Sequence, residues 1–196
     1  MLHKRLTRED AMNPKTQEVI YQIDADDRLI VFNSQWNRFA TDNDSPYLTQ
    51  EHITNQSLWD FIHDAETRHL HQALLKKVRQ KGFRLTLTFR CDSPALRRFM
   101  EMNISPLGND NVKYRCRCLW IEQRVAVPLL CANAAHSDNP RLLRMCSWCK
   151  KIDVGNNTWL EVEDAIRHLR LFDTSKLPQI THGVCHACLR QMEVDD

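Results

Sequence analysis

Two C-x-x-C pairs near the carboxyl end place the strongest constraint on what this chain can fold into. Cys146 and Cys149 form the first pair, and Cys185 and Cys188 form the second. Each pair brings two sulfur atoms within reach of one metal ion, and two pairs supply the four soft ligands of a tetrahedral zinc site. Four thiolates leave no open coordination position. The sequence therefore predicts a structural zinc centre rather than a catalytic one.

Other uses of these cysteines stay open, namely two disulfides, a redox pair or an iron–sulfur centre. Zinc is favoured because the opening residues MLHKRLTRED lack the apolar run of a secretory signal, and a reducing compartment keeps thiols reduced. His182 and His186 flank the second pair. Either imidazole could replace a cysteine ligand, but four correctly spaced thiols favour a supporting or surface role for both.

Composition limits the function classes. The 27 basic and 25 acidic residues nearly cancel to a net charge of +2, so no general affinity for polyanions follows. With four glycines, the chain contains neither a G-x-G-x-x-G nor a G-x-x-x-x-G-K-[ST] phosphate loop. No apolar run approaches the ~20 residues of a membrane-spanning helix. We therefore expect a cytoplasmic protein without a membrane anchor.

Hydrophobic patterning predicts an α+β succession of strands and helices after a polar lead-in at 1–16. Residues 18–32 fit two strands joined by a turn at 24–27, and a short helix follows behind Asn33 or Ser34. A longer helix is expected between an N-cap at Asp64 and a left-handed Gly82. One apolar stripe of that helix contains His71 together with leucines and a valine.

Three later segments alternate between apolar and polar residues, as antiparallel strands with one buried face do. The expected inward residues are Phe83, Leu85, Leu87, Phe89 and Cys91, then Met100, Met102 and Ile104, then Val112, Tyr114, Cys116, Cys118 and Trp120. The intervening SPLGNDN has the composition of a hairpin turn.

This succession of elements resembles the PAS sensory family. The resemblance is carried by VIYQIDADDRLIVFNSQWNRFA, by QSLWDFI and HDAET before the long helix, and by the last three strands with FRCDSP between the first two. It implies a five-stranded antiparallel sheet with helices on one face and space between them for a small ligand. The resemblance spans residues 17–123, and it also implies that the opposite face can form a homodimer contact or dock a flanking helix.

The same resemblance defines a candidate ligand pocket, which would be lined by His71, Met102, Cys116, Cys118 and Trp120. His71 stands where haem-binding members of the family place their axial ligand, and neutral imidazole is a good iron ligand. The alternative is a histidine hydrogen-bonded at the edge of the core. The inward cysteines behave as small buried hydrophobes in the simplest interpretation.

Residues 124–141 have the composition of a linker, and residues 142–196 form the predicted zinc-ribbon-like module. Within it, Trp159, Val162, Ile166 and Leu169 recur at helical spacing. The phrases CSWCKK and HGVCHAC resemble a small cysteine-rich module appended to bacterial PAS and response-regulator signalling proteins.

No nucleophile–base pair, open metal site or nucleotide loop supports an enzyme. The leading hypothesis is a non-catalytic signalling protein whose PAS-like domain senses a small molecule or dimerises, and whose zinc module contacts a partner protein. The alternatives are a nucleic-acid-binding regulator using basic residues around the zinc module, and a haem-based gas or redox sensor. A cluster of charged residues could grip an anionic metabolite or pair with itself; it comprises Arg90, Asp92, Arg97, Arg98 and Glu101.

Overall fold

The computed structural model describes residues 18–42, 45–131, 142–171 and 177–192. A five-stranded antiparallel sheet occupies the first part of the chain, in the order β2-β1-β5-β4-β3. Its strands are β1 (Val19–Ile23), β2 (Leu29–Phe32), β3 (Leu85–Arg90), β4 (Leu96–Pro106) and β5 (Val112–Gln123). The sheet expected from the alternating segments is confirmed.

Helices cover one face of this sheet. They are α1 (Gln35–Asp42), α2 (Gln50–Ile53) and α3 (Ala65–Lys81). Helix α3 has the predicted ends, because the Asp64 carboxylate accepts from the backbone N–H of Thr67 at 2.7 Å and Gly82 adopts a φ of 68°. Asn33 instead bonds to β1 through its side-chain oxygen, which accepts from Ile20 N–H at 3.1 Å. No helix in the described ranges is both long and apolar enough to cross a membrane.

A bulge in β5 corrects the predicted alternation at Trp120. Met100 pairs with Cys118 whereas Phe99 pairs with Trp120, so Leu119 is the extra residue between them. The insertion moves Trp120 to the face opposite the core, where its ring stacks on Phe99 at 4.1 Å between centroids and is 49% exposed. Trp120 therefore faces away from the predicted pocket.

The C-terminal part forms a second sheet in the order β8-β7-β6-β9. Its elements are β6 (Leu142–Cys146), β7 (Ile152–Asp153), β8 (Trp159–Leu160), α4 (Val162–His168), β9 (Gln179–Gly183) and α5 (His186–Met192). Strands β6 and β9 are parallel. The helical spacing that began at Trp159 was partly wrong, because Trp159 lies in a strand and the helix begins at Val162.

The segment expected to be a linker supplies part of this second core. Val127 and Leu129 are buried against Met145, Ile152 and Val162. The apolar patch in that segment is thus packed structure, which corrects the linker interpretation for these residues. Residues 132–141 lie outside the described residues.

The cysteine-rich turns share the apolar core of the first sheet, whereas the cluster around Val127 and Leu129 is separate from it. Cys146, Trp148 and Cys185 belong to the same buried cluster as Leu74 of α3 and Leu87 of β3. The cysteine-rich turn therefore packs on the sheet domain.

Candidate metal centre

The four predicted ligands come together. The sulfur atoms of Cys146, Cys149, Cys185 and Cys188 all lie within 4.8 Å of one another, and Cys149 Sγ is 3.7 Å from Cys185 Sγ. A tetrahedron with zinc–sulfur bonds of about 2.3 Å has sulfur–sulfur edges of about 3.8 Å. The cluster thus has the dimensions of a four-thiolate metal site. The donor set is soft and complete, which suits zinc.

Parallel pairing of β6 and β9 positions the two turns. Cys146 at the end of β6 is opposite Gly183 at the end of β9, so both C-x-x-C turns leave the same edge of the sheet. Backbone N–H groups point at the sulfurs: Cys185 N donates to Cys146 Sγ at 3.4 Å, and Cys188 N to Cys185 Sγ at 3.5 Å. Such bonds stabilise thiolates, because they favour the charged form.

The clustered thiols do not ionise independently of one another. Hydrogen bonds from the Cys149 and Cys188 thiols lower the pKa of Cys146. The same bonds to Cys146 raise the pKa of Cys149 to about 12 and also raise that of Cys188. Thiols so close together cannot ionise together unless a positive charge offsets their repulsion. A bound divalent metal ion would supply that charge and keep all four ligands deprotonated.

Neither flanking histidine joins the cluster. The group of metal-ligating side chains found within the described ranges consists of the four cysteines alone. His182 is exposed on β9, in register with Met145. His186 Nε2 lies 3.0 Å from Asn157 Oδ1 at the surface. Of the two roles predicted for His186, this contact to the turn between β7 and β8 corresponds to the surface role.

The interior behind α3 is filled by aromatic side chains. His71 is 4% exposed, and its Nε2 lies 2.8 Å from the Tyr114 hydroxyl. Tyr21 stacks on Tyr114 at 4.5 Å, and the rings of Trp59 and Trp148 meet His71 edge-on at 6.0 and 6.2 Å. An iron atom at His71 Nε2 would have to displace the tyrosine hydroxyl. The geometry favours the hydrogen-bonded core histidine over the haem ligand.

Met102, Cys116 and Cys118 lie on the core face of the sheet. Met102 is buried and pairs with Cys116, and burial raises the pKa of Cys116 to about 12. Cys118 is half-buried opposite Met100. A cleft of about 420 Å³ lies instead on the outer side of α3, and its lining includes none of the five predicted residues.

The charged cluster near the hairpin joins the two sheets. Buried Arg90 pairs with Asp92 and with Glu161, which immediately precedes α4. Arg124 pairs with Asp92 at 3.3 Å and with Glu163 of α4 at 3.0 Å. The guanidinium groups are therefore engaged by the protein's own carboxylates. A paired network fits better than a grip for an anionic metabolite.

Several contacts at this interface had no sequence signal. Arg90 N donates to the Trp148 carbonyl at 2.7 Å, which places the first C-x-x-C turn on the edge strand β3. The Thr67 and Ser147 hydroxyl oxygens lie 2.7 Å apart, within hydrogen-bond distance. Only Trp148, which lies between two predicted ligands, indicated such an interface in the sequence. A large apolar side chain in a metal-binding turn is usually buried against a hydrophobic core.

Three basic residues around the module have partners within the protein. Arg144 forms an ion pair with Glu66 of α3, and Arg167 pairs with Asp164 on α4. Lys150 Nζ donates to the Ser147 carbonyl at 2.8 Å. The two carboxylates reduce the positive charge that a nucleic acid would meet at Arg144 and Arg167, which weighs against the nucleic-acid alternative.

The described chain is an α+β sheet domain joined to a four-thiolate module. No family model and no curated protein matches it. Among solved structures it is similar to the PAS domain of BvgS from Bordetella pertussis, with 17% identity and a TM-score of 0.38 over 53% of this chain and 75% of that one. The PAS domain of nitrogen regulation protein NR(II) from Vibrio parahaemolyticus is 16% identical, with a TM-score of 0.35 over 58% of this chain and 100% of that one. Both are PAS domains, the family that the sequence resembles.

Proposed function

We propose that this chain is a non-catalytic regulatory protein. Its PAS-like domain senses a small molecule or mediates dimerisation, and its zinc-bearing C-terminal module contacts a partner protein. One observation carries the proposal: the four-sulfur cluster is built into the same apolar core as the sheet domain. A closed centre in that position supports structure and coupling rather than chemistry.

The coupling runs through direct contacts. The first metal turn bonds to β3 through Arg90 N and to α3 through Thr67, and the Trp148 ring meets His71. A ligand that alters the packing of α3 would therefore alter the surface of the module. Mass action then sets the response, because a ligand shifts the population toward the arrangement that it binds more tightly.

Zinc is the metal that we propose. Native mass spectrometry with elemental analysis of freshly purified full-length protein should find one zinc ion per chain. The same spectra report the assembly state and any retained small molecule. A metal-free chain that keeps its folded near-ultraviolet circular dichroism spectrum would contradict a structural metal centre. Bound iron with visible absorption would show that the four cysteines hold an iron–sulfur centre and not zinc.

The regulatory role is tested by comparing two baits in quantitative affinity capture. One is the wild-type protein, and the other carries Glu161→Gln and Glu163→Gln, which weaken docking of the module while leaving the four cysteines in place. We expect partners of the module to change in abundance between the baits. Substrate turnover by the purified chain, with identical partners on both baits, would contradict a non-catalytic regulator.

A further inference from the structure

We propose that Cys149 is a site of oxidation by hydroperoxides, and that it closes a disulfide with Cys185 which releases the metal. This inference rests on the proposed metal centre and adds a regulation of that centre. It arises from three features of the cluster: unequal exposure of the ligands, the short distance between these two sulfurs, and the contacts that depend on their turn.

The four ligands differ in their access to solvent. Cys146 is 0% exposed, Cys185 3% and Cys188 7%, whereas Cys149 is half-buried. A small hydroperoxide diffusing from solvent therefore meets Cys149 first. Susceptibility to oxidation follows thiolate character and exposure together, and a metal-bound cysteine is a thiolate.

The resolving partner is already close. Cys149 Sγ lies 3.7 Å from Cys185 Sγ, and a disulfide needs about 2.05 Å, so the sulfurs must approach by less than ~2 Å. The two residues belong to different turns. A bond between them would link the end of β6 to the end of β9 directly, while Cys146 keeps its N–H bond from Cys185.

The remaining inward cysteines are poor competitors. Burial raises the pKa of Cys91, Cys116 and Cys118, so these thiols stay protonated near neutral pH. The thiolate is the nucleophile toward peroxide. Protonation therefore protects these three thiols, which are half-buried like Cys149.

The chemistry balances without a further reactant. The Cys149 thiolate attacks the terminal oxygen of the hydroperoxide, which breaks the O–O bond and gives a sulfenic acid and, after protonation, an alcohol. The Cys185 thiolate then attacks the Cys149 sulfur and displaces hydroxide, which takes a proton to become water. Two thiolates, one hydroperoxide and two protons become one disulfide, one alcohol and one water. Cys146 and Cys188 alone cannot complete a tetrahedral site, so zinc leaves.

Loss of the metal should loosen the module from the sheet domain. Ser147 and Trp148 lie between the two cysteines of the first turn; Ser147 is hydrogen-bonded to Thr67, and the Trp148 carbonyl accepts from Arg90 N–H. A turn pulled toward Cys185 no longer presents those groups in the same place. Peroxide would thereby change the surface available to a partner, and thiol reductants with zinc would restore it.

The test uses zinc-loaded, full-length protein titrated with hydrogen peroxide under anaerobic, reductant-free conditions. Zinc release is followed with a chromogenic chelator, and non-reduced peptides are mapped by mass spectrometry. We expect one zinc released per disulfide, a Cys149–Cys185 linked peptide as the main product, and rebinding after reduction. A Cys118→Ser variant is the matched control and should release zinc at an unchanged rate.

Failure of the two proposals gives different results. Protein that binds no zinc overturns the metal centre, and this inference with it. Protein that binds zinc but keeps it in large peroxide excess, or that releases zinc with a different cysteine pair linked, overturns only the oxidation site. Mapping on the wild-type chain makes the result independent of whether cysteine variants fold.

Discussion

His71 is kept neutral inside the core by its surroundings. Burial lowers the pKa of its imidazole to about 4, and the opposing charge of Asp27 offsets only part of that effect. The ring is fixed by the Tyr114 hydroxyl and by the edges of Trp59 and Trp148. A buried polar group with a single hydrogen-bond partner favours one arrangement of its neighbours, because losing that partner leaves a buried donor or acceptor unsatisfied and costs free energy.

Stability should therefore fall in acid through His71. Its folded-state pKa lies below the unfolded value of about 6.5, so the unfolded chain binds a proton first as pH falls. The contribution is fully present above pH ~6.5 and is lost by pH ~4, a change of about 3 kcal/mol. Chemical denaturation at several pH values should show it, with His71→Gln as the control.

A slope between those pH values that is the same in wild-type and His71→Gln proteins would contradict the prediction. Comparing slopes rather than stabilities removes the carboxylates, which titrate in both proteins. It also removes the constant cost of replacing a buried ring.

At the scale of secondary-structure elements, the sequence predicted the ends of helices and the buried faces of strands well where they depend on residues close in sequence. The cap at Asp64 and the left-handed Gly82 needed only the sequence of α3. The inward set of β4 followed from period-2 alternation. Trp120 was misplaced because a bulge at Leu119 reverses the alternation, and nothing in the composition of β5 marks that extra residue.

Removing the cap of α3 should destabilise the protein measurably. The Asp64 carboxylate accepts from both the backbone N–H and the hydroxyl of Thr67. Asp64→Ala should cost about 1 kcal/mol, as capping substitutions typically do, whereas Asp64→Ser keeps an acceptor and should cost less. Urea denaturation of the two variants measures the difference. Equal stabilities would show that the cap contributes nothing beyond water.

Gly183 of β9 leaves space for the Arg144 side chain of the neighbouring strand β6, and a substitution there tests this packing. A Cβ there would lie 2.3 Å from Arg144 Nε, and that guanidinium is held over the Trp159 ring and paired with Glu66. Gly183→Ala should displace Arg144 and cost about 1 kcal/mol, within the usual range for overpacking. Gly108→Ala meets nothing within 4 Å and serves as the control. A neutral Gly183→Ala would show that Arg144 moves freely.

At the scale of the whole molecule, the two sheets are held by charges that the sequence could not pair. Arg90 occupies a position that alternates to the outer face of β3, yet it is 6% exposed because the module covers it. The sequence supplied the cluster of charges but not the partners on α4, since long-range docking leaves no periodicity. The metal ligands were predictable because their spacing along the chain is characteristic. The apolar core that they share with the sheet domain was not, because it depends on long-range docking.

The interface pairs should differ in strength according to burial. Glu161→Gln leaves buried Arg90 with Asp92 alone and should cost about 1 to 2 kcal/mol, because a half-paired buried charge is expensive. Glu122→Gln removes an exposed pair with Arg97 at 3.5 Å and should change stability by less than about 0.5 kcal/mol. Denaturation of both variants in parallel compares them, and equal losses would contradict the assigned roles.

The parallel arrangement of β6 and β9 affects how many residues can separate the two cysteine turns in the sequence. Because both sulfur-bearing turns emerge from adjoining strand ends, their spacing is fixed by main-chain register and not by the length of chain that travels between them. The bend at Gly155, Asn156 and Asn157 is exposed, so a change in its length need not alter that register. In other proteins with this module, we therefore expect two C-x-x-C turns separated by a variable number of residues.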